Sequence, residues 1–306
     1  MGSAGLTVAW ESYQQYGDKD MLNEHYSSTV KYLDYIAKTT PNWAGFLGDW
    51  LAPEGLLMGP NEKNFLLWEA YYIYDLDLAS KMAEVLGKTE DSKKYRDLYN
   101  SAKDGFNKKY LNENKQTIEA GTGNLIDNQG SYAIPLALGI IKEENKVQFA
   151  KNLANAVSRK NKDFMGIERP EYSLMTGFIG TAWINKALSD NGYSDVSYKL
   201  LQNNSYPSWL YSVNQGSTTV WERLDSYTSD RGFGGNNSMN SFNHYAFGAV
   251  GAWMYNYSLG IERDEKSPGF KHFILQPNPD TTGKMTFAKG HYDSLYGKIE
   301  SAWELK

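Results

Sequence analysis

The stretch STTVWERLDSY, Ser217 to Tyr227, sets one carboxylate, Glu222, between Trp221 and Arg223. A carboxylate among aromatic rings can activate water as a general base, or it can be half of a structural ion pair. One carboxylate does not decide between them. Past Gly232, Gly234 and Gly235 comes MNSFNHYAFGAVGAWMY, with His244, one of only four histidines. A lone histidine beside aromatics reads as a packing residue or, placed after a Gly-rich loop, as a functional one. In NWAGFLGDWLAPEG, Asp49 beside Trp50 would pair a hydroxyl acceptor with a stacking surface, or cap a helix over a buried Trp. In IERPEYSLMTGFIGT, the cluster Glu168, Arg169 and Glu171 reads first as a solvated turn.

Other chemistries lack their residues. There is no cysteine, which excludes thiolate catalysis and disulfides. No His-Glu-x-x-His pattern or clustered His/Asp group suggests a metal, and no cofactor is expected. No Walker loop, complete Gly-x-Gly-x-x-Gly or Gly-x-Ser-x-Gly elbow occurs. The net charge of −5 argues against nucleic acid as a partner, because phosphate binding needs a basic surplus. No stretch reaches the apolar length of a membrane-spanning helix, and no signal peptide is recognisable, which leaves compartment and oligomeric state open. Aromatic residues make up 14% of the 306, including 9 Trp and 23 Tyr. Such rings suit either a large core or a groove for sugars, whose C–H faces stack on them. Carboxylate acid/base work in an aromatic groove is the pattern of glycoside hydrolysis.

The elements that must position these residues are mostly helices. Apolar spacing predicts helices over 18–39, 61–86, 92–111, 131–141, 143–160, 174–190, 195–204 and 243–259, with a short one opened by Pro207 at SWLYSV. One face of the helix over 61–86 carries Phe65, Tyr72, Leu76, Ala79, Ala83 and Leu86, and residues 143–160 set Val147, Ala150, Leu153, Ala154 and Val157 in register. After Ile261 the pattern becomes short and alternating: KHFILQPN, GKMTFAKGHYDS and YGKIESAWELK read as antiparallel strands too apolar to stay exposed. The expected division is a helical domain over 1–262 and a small β domain over 263–306, the boundary falling at RDEKSPG.

Four stretches together, SLMTGFIGTAWINKALSDNGY, YPSWLYSVNQGSTTVWERLDSY, MNSFNHYAFGAVGAWMYNYSLGI and PGFKHFILQPNP with its AKGHYDSLYGKIESAWE continuation, closely resemble the bacterial α-L-rhamnosidases of glycoside hydrolase family 78. The resemblance runs across nearly the whole chain. It implies an (α/α)6 toroid of six helical hairpins, mainly α, followed by a small antiparallel β domain. It also implies inverting hydrolysis of terminal α-L-rhamnosides on a rhamnose-containing oligosaccharide or glycoside. Carried over by position, Glu222 matches the general base, His244 a sugar-contacting histidine, and Asp49 and Trp50 residues lining the rhamnose site. Trp221 and Trp209 match as aromatic walls.

The chain departs from the family at one point. The family's general acid is a Glu in an acidic, Arg-rich motif where RDE is followed by GW, and that combination is absent here. With roughly ten helices rather than twelve, the toroid is expected to be incomplete at its N-terminus and this chain alone to be nearly inactive. Two rivals compete with this reading: a non-catalytic carbohydrate-binding protein using the same groove, and a different (α/α) toroid glycosidase or lyase. A lyase would need basic residues to hold a uronate, and only Arg223 and Arg231 lie near Glu222.

Overall fold

The computed structural model describes residues 2–39, 47–55, 62–234 and 238–306. Residues 42–46 of the NWAGFLGDW stretch, the helix start placed at Asn61, and Gly235 lie outside them. The helices come in successive pairs: α1 (Ala4–Tyr16) with α2 (Asp20–Thr39), α3 (Glu62–Val85) with α4 (Thr89–Tyr110), and α5 (Gln129–Ala137) with α6 (Glu143–Ser158). A two-stranded ribbon, β1 (Asn161–Lys162) and β2 (Glu168–Arg169), precedes short α7 (Phe178–Thr181). Then come the pair α8 (Ile184–Ser189) and α9 (Ser194–Leu201), and α10 (Trp209–Asn214). A continuous helical run closes the domain: a 3-10 turn over Ala246–Ala249, α11 (Val250–Trp253), and a π turn over Met254–Ser258.

The pairing builds an inner row and an outer row. Helices α1, α3, α5, α8 and α11 each contact the next in the row, while α2, α4, α6 and α9 pack on their own partners. The sequence explains which is which. In α2 the buried residues are Leu22, Tyr26, Thr29, Leu33 and Ile36, one stripe at 3–4 spacing, as an outer helix requires. In α3, burial of Leu66, Ala70, Ile73, Leu76, Leu78 and Met82 runs around the helix, which marks an inner position. A single-face reading of α3 is therefore too narrow. In α6 the inward residues are Phe149, Ala150, Leu153, Ala154, Ala156 and Val157, and Val147 is exposed, contrary to the expected register.

The expected helix over 174–190 is broken, because its early N–H groups are drawn elsewhere. Leu174 N–H donates to the Pro207 carbonyl and Met175 N–H to Gln129 Oε1, so α7 starts only at Phe178. The Glu168–Arg169 cluster is structural: Arg169 pairs with Asp163 at 2.6 Å and Glu168 with Lys160 at 2.8 Å.

After the helices, β3 (Ile261–Arg263) pairs antiparallel with β4 (Phe273–Leu275), and β5 (Phe287–Ser294) with β6 (Gly297–Glu304). Leu259, Ile261, Phe270, Ala288 and Ile299 form their shared core. The unit is pinned to the helical part: Trp303 Nε1 donates to the Ser258 carbonyl at 2.7 Å and the Ser301 hydroxyl to the Leu259 carbonyl at 2.6 Å. Gly269 N–H reaches the Gln14 carbonyl on α1 at 2.9 Å. Phe273, Ile274 and Leu275 are nevertheless exposed, contrary to expectation. Among the described residues strand β4 pairs only with β3, and the two-stranded ribbon leaves its side chains uncovered.

Candidate active site

Glu222 lies in irregular chain between α10 and the helical run at Ala246. Its position is fixed by a second irregular segment beside it. Glu222 N–H donates to the Ser241 carbonyl at 2.8 Å, and Ser241 N–H donates back to Glu222 Oε2 at 2.7 Å. His244 N–H then donates to the Val220 carbonyl at 2.8 Å, so residues 220–222 and 241–244 run side by side. This pairing also explains why the final helical run starts at Ala246 rather than Asn243. The carboxylate is nearly buried, 8% exposed, and its bond from a backbone N–H is the charge-assisted kind, worth about 1.5–3 kcal/mol. Further along, Arg231 pairs with Asp225 at 3.1 Å.

His244 is half-buried, with its imidazole against Phe178 at 4.5 Å between ring centroids, tilted 34°. Its Nδ1 accepts the Ala246 N–H at 3.3 Å, an assignment that leaves Nε2 as the protonated nitrogen of the neutral ring. Phe178 also meets Phe247 edge-on at 5.4 Å, and Trp209 Nε1 donates to the Phe247 carbonyl at 2.8 Å. Trp209 thereby joins the same cluster from α10.

Asp49 and Trp50 arrive from a distant part of the chain and bind the opening of α7. Asp49 Oδ2 accepts from Gly177 N–H at 2.8 Å, and Oδ1 accepts from Ile179 at 2.8 Å and Gly180 at 3.0 Å. The remaining N–H, of Phe178, donates to the Trp50 carbonyl at 2.9 Å. All four amides at this helix start therefore end on two adjacent residues. The approach is close enough to demand glycine: a Cβ on Gly177 would sit 2.1 Å from the Trp50 carbonyl oxygen, and one on Gly180 would sit 2.7 Å from Asp49 Oδ2. Burial pushes the Asp49 carboxyl above its ordinary range, against the three N–H groups that favour its ionised form.

The expected residues thus fall into linked groups. Asp49 and Trp50 hold α7, α7 presents Phe178, and Phe178 covers His244, which is tied to Val220 two residues before Glu222. Trp221 is buried at 7% exposure, with its ring edge-on to Phe242 at 5.4 Å. Trp50 is half-buried. Both Asp49 oxygens are engaged by backbone, so its contact with a sugar hydroxyl would compete with the cap. Phe178 and Ser241 were not singled out from the sequence. The signal for Phe178 was its place between two glycines, Gly177 and Gly180; for Ser241, a backbone donor, no side-chain pattern exists to read. Among the described residues no group of three or more His, Cys, Asp or Glu could hold a metal ion, and no helix is long and apolar enough to cross a membrane.

Comparison with known proteins agrees with this architecture. Residues 2–258 match the bacterial alpha-L-rhamnosidase 6 hairpin glycosidase domain and residues 260–306 the bacterial alpha-L-rhamnosidase C-terminal domain. An alpha-L-rhamnosidase of Formosa agariphila is 33% identical over 311 residues, covering 100% of this chain and 31% of that protein. One from Streptomyces avermitilis is 33% identical over 307 residues, covering 99% of this chain and 27% of its own length. The crystal structure of the Streptomyces avermitilis alpha-L-rhamnosidase complexed with L-rhamnose superposes with a TM-score of 0.84 at 32% identity, over 99% of this chain and 27% of that one. The alpha-L-rhamnosidase of Dictyoglumus thermophilum gives 0.82 at 32% identity, over 98% and 31%. The chain spans roughly a third or less of these relatives, and its helical pairs are those of the six-hairpin toroid, with small antiparallel sheets after them. By its helical domain, its β unit and its full-length similarity, the chain belongs to the bacterial α-L-rhamnosidase family.

Proposed function

We propose that this chain carries the water-activating half of an inverting α-L-rhamnoside hydrolase, with Glu222 as general base. The observation that carries the reading is the Glu222 carboxylate, nearly buried and held by the Ser241 N–H, on a segment hydrogen-bonded to the one bearing His244. A base held in this way has its direction set before the substrate arrives.

In the proposed reaction, a Glu222 oxygen takes a proton from a water molecule as its oxygen attacks the anomeric carbon. The bond from that carbon to the glycosidic oxygen breaks on the opposite face, and the departing oxygen takes a proton from a carboxylic acid. Inverting geometry sets the two carboxyl groups about 6.5–9.5 Å apart, leaving room for the water. We assign the proton donor to a residue outside these 306, since the RDE–GW combination is absent from them. His244 contributes a polar ring edge to the sugar, and Trp50 and Trp209 contribute walls. Asp49 serves the pocket through the backbone it holds, and Trp221 backs Glu222 from the interior. The substrate class is a terminal rhamnosyl group on an oligosaccharide or glycoside, the class named for the relatives.

The test is calorimetric titration of the chain with L-rhamnose, beside L-fucose and D-mannose as controls. Selective binding of L-rhamnose that weakens on replacing His244 with Ala supports the reading. Equal binding of all three sugars, or of none, overturns it. Turnover of an aryl α-L-rhamnoside by this chain alone is expected to fall below that of a chain carrying the acid by about 10²–10⁴-fold.

A further inference from the structure

The imidazole of His244 has two aromatic neighbours of unequal firmness. Phe178 lies 4.5 Å away between centroids, tilted 34°, and Tyr245 stacks at 5.7 Å with a tilt of 11°. Tyr245 is 86% exposed, and a ring that open to solvent changes rotamer freely. Phe178 is half-buried and fixed from several directions. Phe247 meets it edge-on at 5.4 Å, and its N–H donates to the Trp50 carbonyl at 2.9 Å. On either side of it, the N–H groups of Gly177 and Ile179 donate to Asp49, each at 2.8 Å.

Hydrogen bonding alone does not orient the imidazole. The bond from His244 N–H to the Val220 carbonyl fixes where the side chain starts, not how its ring is turned. Ring rotation is governed by χ2, a broad and roughly two-fold torsion in histidine. The bond that sets the ring edge, from Ala246 N–H to Nδ1, is long at 3.3 Å and correspondingly weak. A half-turn about χ2 would break it and exchange the two ring nitrogens. The firm neighbour that opposes this turn is the flat face of Phe178.

We propose that Phe178 is the positioning residue for His244: its ring holds the imidazole plane, keeps Nδ1 on the Ala246 N–H, and so leaves Nε2–H as the donor offered to the sugar. The proposal rests on the reading of His244 as a sugar contact of the Glu222 site. It assigns Phe178 an effect on affinity that passes through His244 alone. An imidazole free to turn must be ordered when the sugar binds, which weakens binding by about 2- to 12-fold for one immobilised side chain. The requirement is for a flat ring. A branched aliphatic side chain can still pack against Phe247, but it presents no plane to the imidazole.

The experiment joins calorimetry with L-rhamnose to side-chain nitrogen NMR of the histidines. There are only four of them, and the His244 signal is the one that disappears in His244→Ala. In the parent chain His244 should show a single tautomer, protonated on Nε2. Phe178→Leu should give mixed tautomers and bind L-rhamnose about 2- to 12-fold more weakly. Phe178→Met should do the same with a different apolar shape, so the comparison survives if one variant fails to fold. Phe178→Tyr, which keeps the ring, should restore both the tautomer and the affinity. With His244 already replaced by Ala, Phe178→Leu should make no further difference to binding. An unchanged tautomer in Phe178→Leu overturns the proposal. So does a loss of affinity that is equal with and without His244, since Phe178 would then act on the sugar or the fold directly. Failure of the parent chain to bind L-rhamnose overturns the reading of the site, and the NMR comparison separately decides whether Phe178 orients His244.

Discussion

Glu222 and Ser241 bond to each other twice, backbone to backbone at 2.8 Å and backbone to carboxylate at 2.7 Å. The second bond aims the carboxylate, and the first ensures that the donor cannot move without moving the residue it aims. The aim of the Glu222 carboxylate thus comes from main-chain pairing between two irregular segments, with no helix or strand at either end.

Glu222→Gln keeps an oxygen to accept the Ser241 N–H, so the fold should be preserved, with thermal midpoint close to that of the parent chain. In any longer form that turns over an aryl α-L-rhamnoside, kcat should drop by about 10²–10⁴-fold with KM nearly unchanged, because the water loses its base while the pocket keeps its shape. A variant that remains active but melts early would assign Glu222 a structural role instead.

Asp49→Ala strands three N–H groups at the start of α7, two of them in buried bonds and one half-buried. Loss of such a cap should cost about 2–4 kcal/mol in urea unfolding. Asp49→Asn, which retains an acceptor oxygen, should cost less. If Asp49→Ala unfolds at the same urea concentration as the parent, the cap does not hold this junction.

Apolar spacing made the helical hairpins and the β unit legible in the sequence, and resemblance pointed to the candidate residues, because both act through side chains. Where the sequence misled, the cause was long-range. Residues 174–177 have helical composition, but their amides are claimed by Pro207, Gln129 and Asp49, partners no local pattern reveals. Val147 keeps the expected 3–4 spacing yet faces solvent, because Phe149 supplies the larger ring for the inner face of α6. Asp49 looked equally like a sugar ligand and a cap, and only the position of α7, 128 residues away, shows that both its oxygens are engaged.

Glycine substitutions separate close approach from simple flexibility. At Gly177 an added Cβ would meet backbone atoms of Trp50, Ala52 and Asp49 at 2.1–2.7 Å, with no side chain to yield. Gly177→Ala should therefore cost about 3 kcal/mol or more, or prevent folding. Gly105, inside α4, has nothing within 4 Å of its added Cβ, so Gly105→Ala should stabilise by about 0.4–1 kcal/mol. Equal effects at the two positions, read by urea titration, would refute the close packing of α7 against Trp50.

Asp75, on inner helix α3, gives a pH prediction. It is 2% exposed, its Oδ2 accepts from the Ser3 hydroxyl at 2.9 Å, and among the described residues its Oδ1 has no hydrogen-bond partner. Burial pushes its carboxyl from an ordinary value of 3.8 up to about 7, with the Ser3 bond opposing. Glu54, beside a cavity of about 30 Å³ shared with Asp49 and Asn128, is likewise pushed up to about 7 by burial, with Lys63 opposing. A raised carboxyl keeps its proton in the folded chain where the unfolded chain has released it. Its contribution is therefore fully present below about pH 4 and is lost as pH rises toward 7. Asp75→Asn removes that titration and leaves an oxygen for Ser3, so the variant should gain on the parent as pH rises from 4 to 8, by about 2–4 kcal/mol. Urea unfolding of both proteins at pH 4, 5.5, 7 and 8 reads the difference directly, since titrations common to the two cancel. A difference that stays constant across that range would mean that Asp75 is ionised in the folded protein throughout.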